Sequence, residues 1–185
     1  DVAYEAILEK FLDACKSEDD MDKFVEDYVD IKSMYVADQV DTPSDFEDEY
    51  NKTKAKDYKD YTDTVKDLYS EFVDEDVKLT LKKVGKSTKM TEIGIDMWND
   101  VRFTVDNDGE TEKLAAIFCG DKLVLVSDED SMETLYDSLK EKEEDADNTT
   151  NSTKDSDENV TNTSNRVSNR TSNKTTSSSY SDDEE

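Results

Sequence analysis

The chain contains no histidine. That removes the commonest general base, the Ser-His and Cys-His nucleophile pairs, and any imidazole-ligated zinc. There is one proline, Pro43, and the four glycines are isolated from one another, so no glycine-rich phosphate cradle exists. The two cysteines, Cys15 and Cys119, each occupy an apolar position in their own segment. With no flanking basic pair they read as small hydrophobes rather than activated thiolates. Spacing alone leaves open whether they are bonded to each other. No apolar run approaches the roughly 18 residues that a membrane-spanning helix requires. Positive charge is scarce: 23 Lys and Arg stand against 50 Asp and Glu, for a net charge of −27. This argues against recognition of duplex DNA or RNA through the phosphates, which needs clustered Lys and Arg. It disfavours an anionic membrane surface for the same reason.

What is present falls into two unlike parts. Hydrophobic residues make up 33% of the chain, below the roughly 45–50% of globular domains. The shortfall lies at the C-terminal end. From residue 143 onward the only members of the hydrophobic set are Ala146, Val160, Val167 and Tyr180. So few apolar groups cannot offset an ordering cost of about 1–2 kcal/mol per residue. Residues 143–185 are therefore expected to be a disordered, acidic, Asn/Ser/Thr-rich tail, and residues 1–142 a domain long enough for one core. The tail carries Asn-x-Ser/Thr triplets at Asn148, Asn151, Asn159, Asn162, Asn169 and Asn173. These are glycosylation acceptors in a eukaryotic secretory context, but such triplets also arise readily in a low-complexity spacer. Residues 1–142 retain 39 acidic against 19 basic residues, a net charge of −20.

Along the domain, Tyr4, Ile7, Leu8, Phe11, Leu12 and Cys15 recur at helical intervals, so residues 2–16 read as an amphipathic helix. Ser17 and the acidic run Glu18-Asp19-Asp20 open the next, since carboxylates favour a helix N-terminus. Ile31, Met34, Tyr35 and Val40 extend that region or follow a bend. Pro43 marks a break, with Ser44 or Asp45 as a cap for the next helix. Residues 45–72 read as one helix with Tyr58, Tyr61, Val65, Leu68, Tyr69 and Phe72 inward. The period then changes to two at Val77, Leu79 and Leu81, with a weaker continuation from Val84 to Met90. A strand through Trp98, Val101, Phe103 and Val105 leads into Asp106-Asn107-Asp108-Gly109, a hairpin turn. Two further strands flank Gly120-Asp121. A last helix is expected at 131–142, with Ser131 as cap and Leu135, Tyr136 and Leu139 inward. The fold class is α+β, with helices packed on one face of a curved antiparallel sheet of three to four strands and a helix at the C-terminal end.

The run from Ala3 to Phe24 contains Phe11-Leu12-Asp13-Ala14-Cys15-Lys16-Ser17-Glu18-Asp19-Asp20. It resembles the opening of nuclear transport factor 2-like domains, cone-shaped and cystatin-like in fold. In these a first helix ends in a Phe-Leu-x-Ala-x-Lys-x-x-Asp type phrase, followed by a short helix and an antiparallel sheet. The nearest resemblance is to secreted or lipid-anchored bacterial domains of unknown function. It implies an extracytoplasmic domain, with any lipid anchor outside this stretch of chain. It also implies a cone whose interior serves either as a ligand cavity or as solid core.

Two sets of candidate site residues arise from that alternative. Tyr28, Tyr35, Tyr58, Tyr61 and Tyr69 either line a cone that takes an apolar or carbohydrate ligand or fill the core with their hydroxyls at its edge. Enzymes of the resembled superfamily place an Asp, a His or both in the cone. Here only an Asp is available, and Asp96 near Trp98 is the position of interest. Asp106-Asn107-Asp108-Gly109 begins like a calcium loop, but position twelve is Ile117, where a bidentate Glu is needed. No metal and no cofactor is expected. The reading is a non-enzymatic extracytoplasmic binding or interaction domain, whose partner is a small molecule, a protein or a cell-wall component. The alternative is a small-molecule carrier or enzyme using a carboxylate base.

Overall fold

The computed structural model describes residues 2–146; the expectations for the rest of the tail, including its Asn-x-Ser/Thr triplets, lie outside the described residues. Residues 1–143 form one unit. Helices come first: α1 (Val2–Ala14), α2 (Glu18–Tyr28), α3 (Ile31–Gln39), α4 (Phe46–Lys52) and α5 (Tyr61–Ser70). Four strands come next, β1 (Leu79–Met90), β2 (Ile95–Asn107), β3 (Glu110–Cys119) and β4 (Lys122–Asp128). A final helix, α6, covers 129–146. The strands form one antiparallel meander in the order β1-β2-β3-β4, and the class is α+β.

Local chemistry sets the boundaries. Ser17 Oγ accepts the Asp20 backbone N–H at 3.1 Å, so the expected cap of α2 is made. Asp30 does the same for α3, taking the Ser33 N–H at 3.0 Å. The β2–β3 hairpin turns on Asp108 and Gly109, both at positive φ (51° and 91°), the left-handed pair that a two-residue turn demands.

Three expectations about helix bounds and caps are corrected. Residues 45–72 are not one helix. Thr53 ends α4 by donating its hydroxyl to the Glu49 carbonyl at 2.7 Å, and Asp57 accepts the Lys54 N–H at 2.8 Å to close a separate short turn. Short polar side chains here compete with the helix for its backbone groups. The interruption rephases the stripe, so Val65 and Tyr69 are buried while Leu68 is 39% exposed. Neither Ser44 nor Asp45 makes a side-chain cap. Instead the Ser44 N–H donates to the Glu143 carboxylate of α6 at 3.0 Å. Finally, α6 is capped by Asp128, not Ser131. The Ser131 N–H and hydroxyl both donate to the Asp128 carboxylate, at 2.7 and 2.8 Å. These bonds, the backbone N–H first, hold the Asp128 pKa below the ordinary carboxylate value.

The sheet is covered on both faces, not one. One cluster joins α1, α2 and α5 to Val101, Phe103, Val105, Ala116 and Phe118. The second joins Val36 of α3, Phe46 of α4, and Met132 and Leu139 of α6 to Trp98, Ala115, Ile117 and Cys119. Side chains alternate across a strand, so the five consecutive buried residues Ala115–Cys119 require cover above and below. Cys15 and Cys119 are both buried, unbonded thiols and fall in different clusters. Burial raises each to a pKa of about 11.

The two edges of the sheet differ. The β4 edge is met by the α2–α3 junction. Val29 forms a parallel bridge with Leu123, and the Asp30 N–H donates to the Leu123 carbonyl at 2.8 Å. The β1 edge pairs only with β2 on its inner side.

Candidate functional site

A buried carboxylate organises the space between the second sheet face and helices α3 and α4. Asp30, 8% exposed, sits where α2 ends and α3 begins, so its backbone is fixed to β4 and its side chain caps α3. Its Oδ2 accepts the hydroxyls of Ser33 at 3.1 Å and Tyr50 at 2.9 Å. Ser33 Oγ in turn accepts the indole N–H of Trp98 at 3.4 Å. The Cys119 thiol lies among Ser33, Asp30 and Tyr50. The Lys32 ammonium stands 4.2 Å above the Tyr50 ring, a cation–π contact at the rim. Phe46 closes the inner side, 5.1 Å from Trp98 and 5.7 Å from Tyr50 between ring centres. Burial first, then the bond to Asp30, pushes the Tyr50 phenol up from its ordinary pKa, so it is a hydrogen-bond donor at neutral pH. Chemically this is a charge-assisted network: a carboxylate with three protein donors, two of them hydroxyls from different elements.

A second polar cluster joins α6 to β2. Arg102 grips Asp100 through Nε and Nη2, each at 2.9 Å, and reaches Glu133 at 3.2 Å. Tyr136 donates to the same Asp100 carboxylate. The bonds to Asp100 raise the Arg102 pKa further, so the guanidinium stays charged and ties β2 to α6.

The sequence candidates are dispersed. Tyr35, Tyr58 and Tyr61 meet, with ring centres 6.4 Å (Tyr35–Tyr58) and 5.6 Å (Tyr35–Tyr61) apart, and Tyr61 donates to Asp38 at 3.3 Å. Tyr69 is fully buried on the other side of the sheet, its hydroxyl bonded to the Val124 carbonyl at 2.8 Å. Tyr28 packs on Phe24 at 5.4 Å and floors a shallow groove of about 240 Å³ between α1 and α2, rimmed by Lys10, Lys23, Asp20 and Asp27. Trp98 belongs to the Asp30 network. Asp96, two residues earlier on β2, is exposed and is not brought into it. Sequence reasoning does not assemble Asp30, Ser33, Tyr50 and Cys119 as a group. One signal is present: Asp30-x-x-Ser33 directly after the apolar Val29 is a helix-cap pattern, and a capping Asp flanked by apolar residues is a buried one.

Among the described residues no group of three or more Cys, Asp or Glu is arranged to hold a metal ion, and no helix is long and apolar enough to cross a membrane. In comparison with known proteins, no family model, no curated protein and no solved structure matches the chain.

Proposed function

We propose that this chain is a non-enzymatic, extracytoplasmic binding or interaction domain that works through its outer surface. One observation carries the reading: among the described residues, every fully buried polar side-chain atom already has a protein partner. A ligand-holding interior is a cavity lined by apolar and a few convergent polar groups. Here the aromatic interior is committed to packing, with Phe11, Tyr69 and Phe118 fully buried beneath α1 and α5. Kinship with nuclear transport factor 2-like domains of secreted or lipid-anchored bacterial proteins is part of the same proposal. Its supports are the phrase in α1 and α2 and the order of helices before an antiparallel meander. The extracytoplasmic setting rests on the acidic Asn/Ser/Thr-rich C-terminal sequence.

The test is thermal unfolding of the full chain with apolar, sugar and peptide ligands, alongside a screen for turnover. A surface binder responds to a peptide or protein partner. A ligand at ~100 times its dissociation constant adds about 2.7 kcal/mol. Saturable turnover of a small substrate, abolished by Asp30→Asn, would overturn the proposal in favour of the second reading, a carrier or enzyme built on a carboxylate. The observation favouring that alternative is Asp30 itself, a buried carboxylate touched by Tyr50 and Ser33 with a thiol beside it.

A further inference from the structure

Strand β1 reverses the charge of the molecule. From Val77 to Thr91 the chain carries five lysines, Lys78, Lys82, Lys83, Lys86 and Lys89, and no Asp or Glu. The other strands all carry acid: Asp96, Asp100 and Asp106 in β2, Glu110 and Glu112 in β3, Asp128 in β4. All five lysines are exposed. Among the described residues only Lys82 is paired, with Asp106 at 3.7 Å. The same strand is the open edge of the sheet. The opposite edge is met by Val29 and Asp30, whereas among the described residues no backbone group other than those of β2 bonds to β1. Its outer N–H and C=O groups have no backbone partner among the described residues.

We propose that the β1 edge docks an extended acidic peptide segment of a partner protein, by strand addition. This rests on the reading of the chain as a surface binding domain and names the partner's chemistry. Main-chain pairing along the edge supplies affinity and the alternating side chains supply selectivity; lysines on the edge select Asp and Glu at the facing positions. The net charge of −27 does not forbid this. Exposed charges more than a Debye length away, about 8 Å at physiological salt, are largely screened, and the stretch from Val77 to Thr91 itself carries five lysines and no acid. Lysines and bulges also guard edges against self-pairing, and β1 has three register shifts against β2. Guarding does not by itself fix the sign of the charge. On a surface this acidic, Asp or Glu would guard as well, and only β1 dispenses with them. A nucleic acid or sulfated polysaccharide would use the lysines but leave the open backbone unpaired.

The experiment uses the full chain and a fluorescent peptide of roughly ten residues alternating Glu with Val or Thr, read by anisotropy. Binding is expected, weakened about tenfold or more by raised salt. Comparable losses are expected in the triple variant Lys83→Gln, Lys86→Gln, Lys89→Gln, and when alternate peptide nitrogens are methylated. Circular dichroism and melting confirm that the variant is folded. Failure of the peptide to bind overturns the proposal. So does binding indifferent to N-methylation, or binding matched by single-stranded DNA or heparin of equal charge, since each shows attraction without strand pairing. A triple variant that self-associates while the native chain ignores the peptide identifies the lysines as edge guards only, and also overturns it. None of these results touches the broader reading, which falls instead on turnover that depends on Asp30.

Discussion

Tyr50 of α4 donates its hydroxyl at 2.9 Å to the carboxylate of Asp30, the residue that caps α3. The bond joins two helices through a buried charge. A buried carboxylate is tolerated only while donors surround it. Tyr50→Phe removes one of three and is expected to cost about 1–2 kcal/mol, because Ser33 still serves the charge. Asp30→Ala removes the cap and strands two hydroxyls, and is expected to cost about 2–4 kcal/mol. Urea unfolding with an unchanged m-value is the measurement. An Asp30→Ala change within ~0.5 kcal/mol of the native chain would show that the network does not support the fold.

Tyr69 is tied to an irregularity in the sheet. The β3–β4 register slips between Ile117 and Phe118, leaving Val124 without an opposite residue, and the Tyr69 hydroxyl reaches the Val124 carbonyl at 2.8 Å. The side chain thus satisfies a buried acceptor beside the bulge. Tyr69→Phe preserves the ring packing and leaves that carbonyl with one bond fewer, so a loss of about 1–3 kcal/mol is expected. Hydrogen exchange of β4 amides locates the effect, since local opening should be enhanced around Leu123–Leu125. Enhancement spread evenly over the domain would argue against a local role for the bond.

Much of this arrangement is legible in the residues. Alternation at Leu79 and Leu81, the Asn-Asp-Gly turn and the stripe from Tyr4 to Cys15 identify their elements because each buries one face against one neighbour. The two-sided sheet is also written there, in the uninterrupted apolar runs Ala115–Cys119 and Leu123–Val126. An unbroken run fits a strand covered on both faces, a step beyond identifying the strand itself. The break in 45–72 is harder to see. Lys and Asp between the tyrosines fit a solvated helix face, and only the side-chain bonds of Thr53 and Asp57 reveal the interruption. The candidate site is least legible of all. Asp30, Tyr50, Trp98 and Cys119 come from four separate elements, and no local period brings such residues together.

The second face makes a prediction of its own. Phe46 is fully buried against Trp98 and Tyr50, on the opposite side of the sheet from Phe11. If both layers are true core, Phe46→Ala and Phe11→Ala should each cost about 3–5 kcal/mol from lost burial and the cavity left behind. In a sheet covered on one face only, Phe46→Ala would fall within ~1 kcal/mol. Paired denaturation curves decide between these, and the double variant tests independence, since distant sites add.

Stability should decline on the alkaline side. Cys15 and Cys119 are raised by burial from 9.0 to about 11. The phenols of Tyr50, Tyr69 and Tyr136 are raised above 10.0, burial being the first cause in each. In every case the folded state holds its proton more tightly than the unfolded chain does. The unfolded state therefore ionises first as pH rises, it binds fewer protons there, and the free energy of unfolding falls with pH. The contribution is intact well below pH 9.0, where neither state is ionised. It is lost from there through about pH 11 for the thiols, and from 10.0 upward for the phenols. Melting temperature should be level up to about pH 8.5 and then drop. In a Cys15→Ala, Cys119→Ala variant, less stable at neutral pH, the drop should begin nearer 10.0, where only the phenols act. The native thiols should resist aromatic disulfide reagents at about pH 8 until the chain is unfolded. A native chain whose melting temperature is flat across this range would mean that both thiols titrate as they do in water, and hence that the two cores around Cys15 and Cys119 are open to it.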